Sequence, residues 1–360
     1  MRILIDARSA YGGIQRYGLN LVSRLSRDLA TDVMIAWGHD PSCHPGQVRQ
    51  RSALRASIGD VRRVLTDQYL LPRAAGRCQA DLVHSINHLV PRRLNRPCVM
   101  TCHDLWLIEH PEQKKKSWVT RYERHQLGRA LGRADHLIAV SDTVAATLQS
   151  RYDVDERRLS VIYPPLLLST EIDVRAGLPA VVRSPYLLTV GTLEPRKNLD
   201  RLIDAQLMAW HESRVPLLLA GPPGWGYEQI IQRAEASNGA VHWLGPVSEA
   251  TLDALYRSAI AVVAFSLEEG FDYPTVEAMT RGTPLVLSDI SVHREIVGDL
   301  GRYAAPNQPD ALATQLISIV SMGATELEAY RAQAHGRVQK IAERGCSARY
   351  RDVYRRVLTG

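Results

Sequence analysis

Twelve short apolar runs, each followed by a stretch of helix length, constrain this chain more than any other feature. The first six are RILID (2–6), DVMIAW (32–37), DLVHS (81–85), CVMTC (98–102), HLIAVS (136–141) and LSVIY (159–163). The second six are YLLTVG (186–191), PLLLAG (216–221), VHWLG (241–245), IAVVAF (260–265), PLVLS (284–288) and GRYAA (301–305). Runs of this length and composition read as buried strands, and strands that alternate with helices imply parallel sheets. The rhythm lapses between Pro164 and Pro185, in a proline-bearing stretch without a clean period. The expected fold class is therefore α/β, with two Rossmann-like, doubly wound parallel-sheet domains facing across a cleft. The expected boundaries are a first domain over 1–168, a linker over 169–184, a second domain over 185–343 and a terminal helix over 344–360. Tyr350, Val353, Tyr354 and Val357 recur in that helix at helical spacing, which suits packing back on the first domain. Ligands of such sheets lie outside the C-terminal ends of the strands, so chemistry is sought in the loops that follow them.

Composition narrows the setting. With 360 residues, 45% hydrophobic and 23% charged, the chain has the makeup of a well-packed globule. No run approaches the roughly 20 apolar residues that span a bilayer, and Arg2, Asp6 and Arg8 interrupt what a signal peptide would need as its apolar core. The expected location is cytoplasmic, with peripheral contact at the inner face of the plasma membrane. Five scattered cysteines without a CxxC pair suit reduced thiols. Residues 1–170 hold 25 Lys+Arg against 16 Asp+Glu, which leaves 19 against 22 in the remainder. A basic first half suits an anionic surface or a phosphorylated acceptor, and equally a solvated face. Nucleic acid is not expected, since Phe occurs only twice and no aromatic platform interleaves the cations.

The densest chemistry lies in EGFDYPTVE, where Glu269 and Glu277 stand eight positions apart across a loop that opens a helix. Pro274 suits a first helical turn and Gly282 a left-handed stop. Amides at a helix start attract anions, so carboxylates beside them suit neutral hydroxyls such as those of a sugar or ribose. After YLLTVG come Arg196 and Lys197, paired cations that suit a diphosphate, and Asn198, read as the cap of the next helix. Gly12 and Gly13 follow the first strand, where they serve either a tight turn for helix packing or close backbone approach to a phosphate. GPPGWG (221–226) lacks the dinucleotide-binding spacing. His103 follows the fourth strand and can hydrogen-bond a sugar hydroxyl or serve the fold alone. Cys102 and His103 would point to opposite faces, against a zinc site with Cys98. The Asp153-Val154-Asp155 triplet precedes a strand and so reads as a turn on the far edge, away from metal chemistry. Lys114, Lys115 and Lys116 suit an anionic membrane contact or a solvated face.

Taken together, GTLEPRKNLDRLIDA, LLLAGPPGWGYE, GPVSEATLDALYRSA, EEGFDYPTVEAMTRGTPLVLSD and HREIVGD resemble a family 4 retaining glycosyltransferase of the GT-B fold, in the bacterial mannosyltransferase-like subgroup. The resemblance covers nearly the whole chain and is densest from Tyr186 to Asp299. It implies transfer of a hexosyl group, with mannose from GDP-mannose as the leading donor, to a lipid-linked or polysaccharide acceptor in O-antigen, capsule or exopolysaccharide synthesis. Rhamnosyl or glucosyl transfer from another nucleotide sugar, a GT-B epimerase and a non-catalytic nucleotide-sugar-binding partner are the alternatives. The resemblance assigns catalysis to His103, Glu269, Arg196 and Lys197, with Glu269 on the sugar and the two cations on the diphosphate. Its donor-binding set adds Gly12, Gly13, Gly191, Thr192, Val247, Gly270, Phe271, Asp272, Tyr273, Pro274, Thr275 and Glu277, the last on the ribose. Amides near Pro274 and Thr275 would assist the phosphates. Arg16 and Lys114 to Lys116 fall on the acceptor or membrane side. No cofactor and no metal are expected beyond the nucleotide sugar itself. The family usually reads EGFGLP, so Asp272 and Tyr273 replace a Gly and a Leu.

Overall fold

The computed structural model describes residues 1–7, 12–26, 32–36, 66–88, 90–110, 118–166, 178, 182 and 185–360. The chain divides into two compact units, one formed by 1–167 with 342–360 and the other by 168–341. Each unit is built on a six-stranded sheet in which all pairings are parallel. All twelve apolar runs contribute a strand, three of them along their full length and the others trimmed at one or both ends.

The first unit contains β1 (Arg2–Asp6), β2 (Asp32–Ala36), β3 (Leu82–Ser85), β4 (Cys98–Cys102), β5 (His136–Ala139) and β6 (Leu159–Val161), in the order β2-β1-β3-β4-β5-β6. β3, β4 and β5 are buried along their whole length. Helices cover both faces of a parallel sheet, so its central strands need apolar residues at every position and not at alternate ones. The helix Ser347–Thr359 belongs to this unit and buries Tyr350, Val353 and Tyr354.

Burying those phenols requires partners for their hydroxyls. Tyr354 meets His84 Nδ1 at 2.7 Å, and His84 Nε2 meets the Thr101 hydroxyl at 2.7 Å. Thr101 in turn meets the Tyr17 hydroxyl at 2.8 Å. Tyr350 donates to the carbonyl of Tyr163 at 3.3 Å. Burial pushes the His84 pKa down to about 3, so the ring is neutral and can donate at one nitrogen while accepting at the other. Among the described cysteines, Cys98, Cys102 and Cys346 are free, whereas Cys78 is disulfide-bonded, against the expectation of reduced thiols throughout.

The second unit contains β7 (Leu187–Val190), β8 (Leu217–Ala220), β9 (Val241–Gly245), β10 (Ala261–Ala264), β11 (Leu285–Ser288) and β12 (Arg302–Ala304). Their order is β12-β11-β10-β7-β8-β9. The chain winds outward from β7 to β9, then returns to place β10 on the other flank of β7. The strand order therefore reverses between β7 and β10, the position where loops from neighbouring strands part and leave a crevice. Leu202 of the helix Leu199–Ser213 and Leu312 and Leu316 of the helix Pro309–Val320 pack on Leu187, Leu217 and Val263 beneath it.

The hydroxyl chain in the first unit carries a direct expectation. Tyr354→Phe deprives His84 of a buried partner and should destabilise the unit by about 1 to 3 kcal/mol. A lower denaturation midpoint at unchanged m-value is the expected readout, and an unchanged midpoint would show that the chain does not stabilise the fold.

Candidate active site

Two loops flank the β7/β10 split in the second unit. The first leaves β7 through Gly191 and Thr192 and tightens into a 3-10 turn, Pro195–Lys197. The second leaves β10 as Ser266 to Asp272. A backbone hydrogen bond stitches them together, from Leu267 N–H to the Arg196 carbonyl at 2.8 Å.

Glu269, on the second loop, is buried, at 7% exposure. Its Oε1 accepts from Lys197 Nζ at 2.7 Å and from the Ser266 hydroxyl at 2.7 Å, and its Oε2 accepts from Arg196. Arg196 also donates to the Glu268 carbonyl at 3.1 Å and to Glu194 Oε1 at 2.9 Å. Asp272 Oδ1 lies 3.7 Å from Lys197 Nζ. Burial alone would raise the Glu269 pKa, but Arg196 and Lys197 overcome it and hold the carboxyl well below the usual carboxylate range. For Lys197, burial opposes the charge, yet Glu269 and Asp272 outweigh burial and raise the pKa. Glu269 and Lys197 are therefore both charged at neutral pH.

Glycines give these loops their close approach. A Cβ on Gly191 would sit 3.1 Å from Lys197 Cε, so the absence of a side chain makes room for the lysine. A Cβ on Gly221 would lie 2.0 Å from the Gly191 carbonyl oxygen, and one on Gly224 2.5 Å from that of Leu193. Leu193 N–H donates to Pro222 O at 3.0 Å, and Gly224 N–H returns a bond to Leu193 O at 3.1 Å. GPPGWG thus acts as a backbone brace for the cationic loop, a role its spacing did not disclose.

One expectation at this edge needs correction. Asn198 does not cap the following helix with its side chain. It adopts a left-handed conformation, φ 54°, which lets the 3-10 turn stop and the helix start, while its amide donates to Pro306 O at 2.8 Å. Pro274 carries no N–H, and Thr275 directs its own toward the Asp272 carbonyl at 3.2 Å. Asp272, with φ 62° and a fully buried side chain, turns Oδ2 toward His293 Nε2 at 3.2 Å.

The helix Tyr273–Thr280 otherwise begins where expected, and Gly282 takes the left-handed stop at φ 69°. Glu277 accepts from the buried Tyr256 hydroxyl at 2.9 Å, apart from the Glu269 bonds. Gly270, Phe271 and Tyr273 are buried, and the two rings meet edge to face at 5.6 Å. Val247 is half-buried in the loop that follows β9. Ser266, His293, Tyr256 and Glu194 were not anticipated as site residues. Ser266 had one signal, a hydroxyl directly after an apolar run, and His293 lay in the quoted HREIVGD segment.

In the first unit, His103 follows β4 and is half-buried. Its Nε2 lies 3.1 Å from the Ile86 carbonyl, which can only accept, so Nε2 carries the proton and Nδ1 is left as an acceptor. Burial first, and His88 second, lower the pKa well below the ordinary value, which keeps the ring neutral. The Tyr17 ring meets it edge-on at 4.7 Å. Gly12 and Gly13 begin the helix Gly12–Ser26, on which Arg16 is half-buried. Asp153 ends the helix Asp142–Tyr152 in a left-handed conformation, and Asp155 accepts from Arg157 N–H at 2.9 Å. Both are local turn roles ahead of β6. Lys114, Lys115 and Lys116 lie outside the described residues.

The depressed Glu269 pKa fixes the sign of a pH effect. Its contribution to folding is complete above the ordinary value of 4.5 and is lost as pH falls below it toward the lower folded value. The stability gap between wild type and Glu269→Gln should therefore narrow between pH 6 and about pH 3. A gap that stays constant in denaturation curves over that range would contradict the ion cluster.

The chain is similar to known proteins along most of its length. The pattern described as Glycosyltransferase Family 4 matches residues 11–168, and that described as Glycosyl transferases group 1 matches residues 172–336. The chain is 31% identical over 332 residues to O-antigen chain mannosyltransferase B of Escherichia coli, covering 85% of this chain and 86% of the relative. It is 30% identical over 229 residues to O-antigen chain mannosyltransferase RfbU of Salmonella typhimurium, covering 63% and 61%. Among solved structures, Anabaena Alr3699/HepE in complex with UDP and glucose superimposes with a TM-score of 0.66 at 20% identity, covering 95% of this chain and 97% of that one. The fold is of the GT-B class, and the chain belongs to glycosyltransferase family 4 and is a glycosyltransferase.

Proposed function

We propose that this chain transfers a mannosyl group from GDP-mannose, with retention of configuration, to a hydroxyl of a lipid-linked or polysaccharide acceptor in O-antigen synthesis. The observation that carries the reading is the Arg196–Lys197–Glu269 cluster at the β7/β10 split. It offers two cations and one acceptor carboxylate within one crevice, the complement of a diphosphate joined to a polyol. The mannosyltransferase relatives support the choice of sugar.

In this mechanism Arg196 and Lys197 bind the diphosphate and stabilise the charge that grows on it as the anomeric C–O bond breaks. Fixed positive potential from these side chains takes the part that a divalent metal plays elsewhere, so none is required. Glu269 accepts hydrogen bonds from the sugar hydroxyls, and Glu277 from the ribose. His103, neutral with Nδ1 open as an acceptor, hydrogen-bonds a hydroxyl of the transferred sugar. The acceptor oxygen bonds to the anomeric carbon on the face that the phosphate leaves, and its proton passes to the departing phosphate oxygen. Gly12 and Gly13 let the backbone approach the donor phosphates, and Arg16 serves the acceptor side. Among the described residues no helix is long and apolar enough to cross a membrane, and the basic first half suits peripheral contact with an anionic one.

Two measurements test the proposal. In a thermal-shift panel of GDP, UDP, ADP and dTDP, GDP should raise the melting temperature most; a larger shift with UDP would move the donor to a UDP-sugar, and none at all would sink the reading. Lys197→Ala should lower turnover by roughly 10²-fold, the cost typical of a lost donor to a developing anion. Turnover close to wild type would remove Lys197 from the mechanism.

A further inference from the structure

The buried contact between Asp272 and His293 holds one proton more than its neighbours account for. Ser288 Oγ lies 2.7 Å from the Ser266 carbonyl, which can only accept, so the hydroxyl hydrogen points there. His293 Nδ1 lies 2.9 Å from the Ser288 carbonyl oxygen and 3.1 Å from Ser288 Oγ. Both are acceptors toward the ring, and Nδ1 must carry a hydrogen. That leaves Nε2 facing Asp272 Oδ2 at 3.2 Å, with neither side chain exposed. A ring lone pair against a carboxylate oxygen is repulsive where no solvent screens it, so a second proton lies between them. The other oxygen of Asp272, Oδ1, is buried without a hydrogen-bond partner and faces the Lys197 ammonium at 3.7 Å. Lys197 makes an ion pair with that oxygen, so the ring faces a carboxylate.

Charge balance gives this proton a purpose. Glu194, Glu269 and Asp272 bring three negative charges to the cluster, and Arg196 and Lys197 bring two positive ones. With a neutral His293 the cluster is net negative and would repel a diphosphate; with an imidazolium it is balanced. We propose that His293 is a doubly protonated counter-ion that neutralises Asp272, so that the positive field of Lys197 stays available to the ligand. His293 is then a positioning residue that acts through Asp272 and Lys197 and touches no substrate. The inference rests on the reading that Lys197 binds the diphosphate.

The first test needs no ligand. In ¹⁵N spectra of the full chain at pH 7, both ring nitrogens of His293 should be protonated, and Asp272→Asn should leave only Nδ1 protonated, because the amide can donate to Nε2. A wild-type ring with one proton overturns the proposal. The second test is GDP binding by calorimetry, with UDP as the alternative probe. His293→Asn leaves the carboxylate uncompensated and should weaken binding by about tenfold or more. Adding Asp272→Asn in that background should recover at least about threefold, a coupling that simple loss of packing does not produce. A double variant that binds no better than His293→Asn also overturns the proposal. Should His293→Asn fail to fold, the wild-type spectrum decides. Should the wild type bind neither GDP nor UDP, the transfer reading falls, while the spectrum still decides the charge pair.

Discussion

A buried carboxylate at the β7/β10 split is the constraint from which the second unit follows. Taken out of water alone, Glu269 would cost several kcal/mol, so it must be surrounded by cations and hydrogen-bond donors. Arg196 and Lys197 arrive on the turn after β7, and Ser266 arrives two residues after β10. They can meet one carboxylate only because β10 lies beside β7, although 70 residues, 191–260, lie between the strands. A buried ion cluster rarely improves stability over apolar packing of the same volume. It sits at the switch point of a doubly wound sheet, the position where such folds bind their ligands.

Holding that cluster depends on backbone devices as much as on charge. Gly191 leaves space for the Lys197 stem, and Gly221 and Gly224 bring a third loop into backbone contact with the first. Asn198 and Asp272 both take left-handed conformations, which cost non-glycine residues roughly 1 to 2 kcal/mol each. Each pivot lies at the end of a site loop, where the chain must turn from a strand-following segment into a helix. The strain sits where it aims side chains, as expected of functional loops.

The sheet order explains which features were legible in the sequence. The twelve strands could be read because parallel strands, covered on both faces, need unbroken apolar runs. Glu269, Arg196 and Lys197 could be read because charged residues directly after such runs are chemically conspicuous. Asn198 misled because asparagine suits both a cap and a left-handed pivot, and only the fold selects between them. Asp272 read as a residue facing the sugar, yet one oxygen is committed to His293, 21 positions away. His293 itself is fixed by Ser288 at the end of β11 and, through it, by Ser266 at the end of β10. A relay across two neighbouring strands leaves no local pattern.

Three buried or half-buried histidines show why residue type alone could not assign charge. His84 lies between two hydroxyls, which donate or accept as required, so a neutral ring satisfies both contacts. His103 has a carbonyl at Nε2, which fixes the tautomer and again permits neutrality. His293 faces a carbonyl on one side and a carboxylate on the other, two acceptors that one proton cannot serve. The partners, supplied by distant strands, decide whether an imidazole carries one proton or two. In the first unit that choice yields an uncharged acceptor suited to a sugar hydroxyl. In the second it cancels a negative charge that would otherwise stand beside Arg196 and Lys197, the cations proposed to bind the diphosphate.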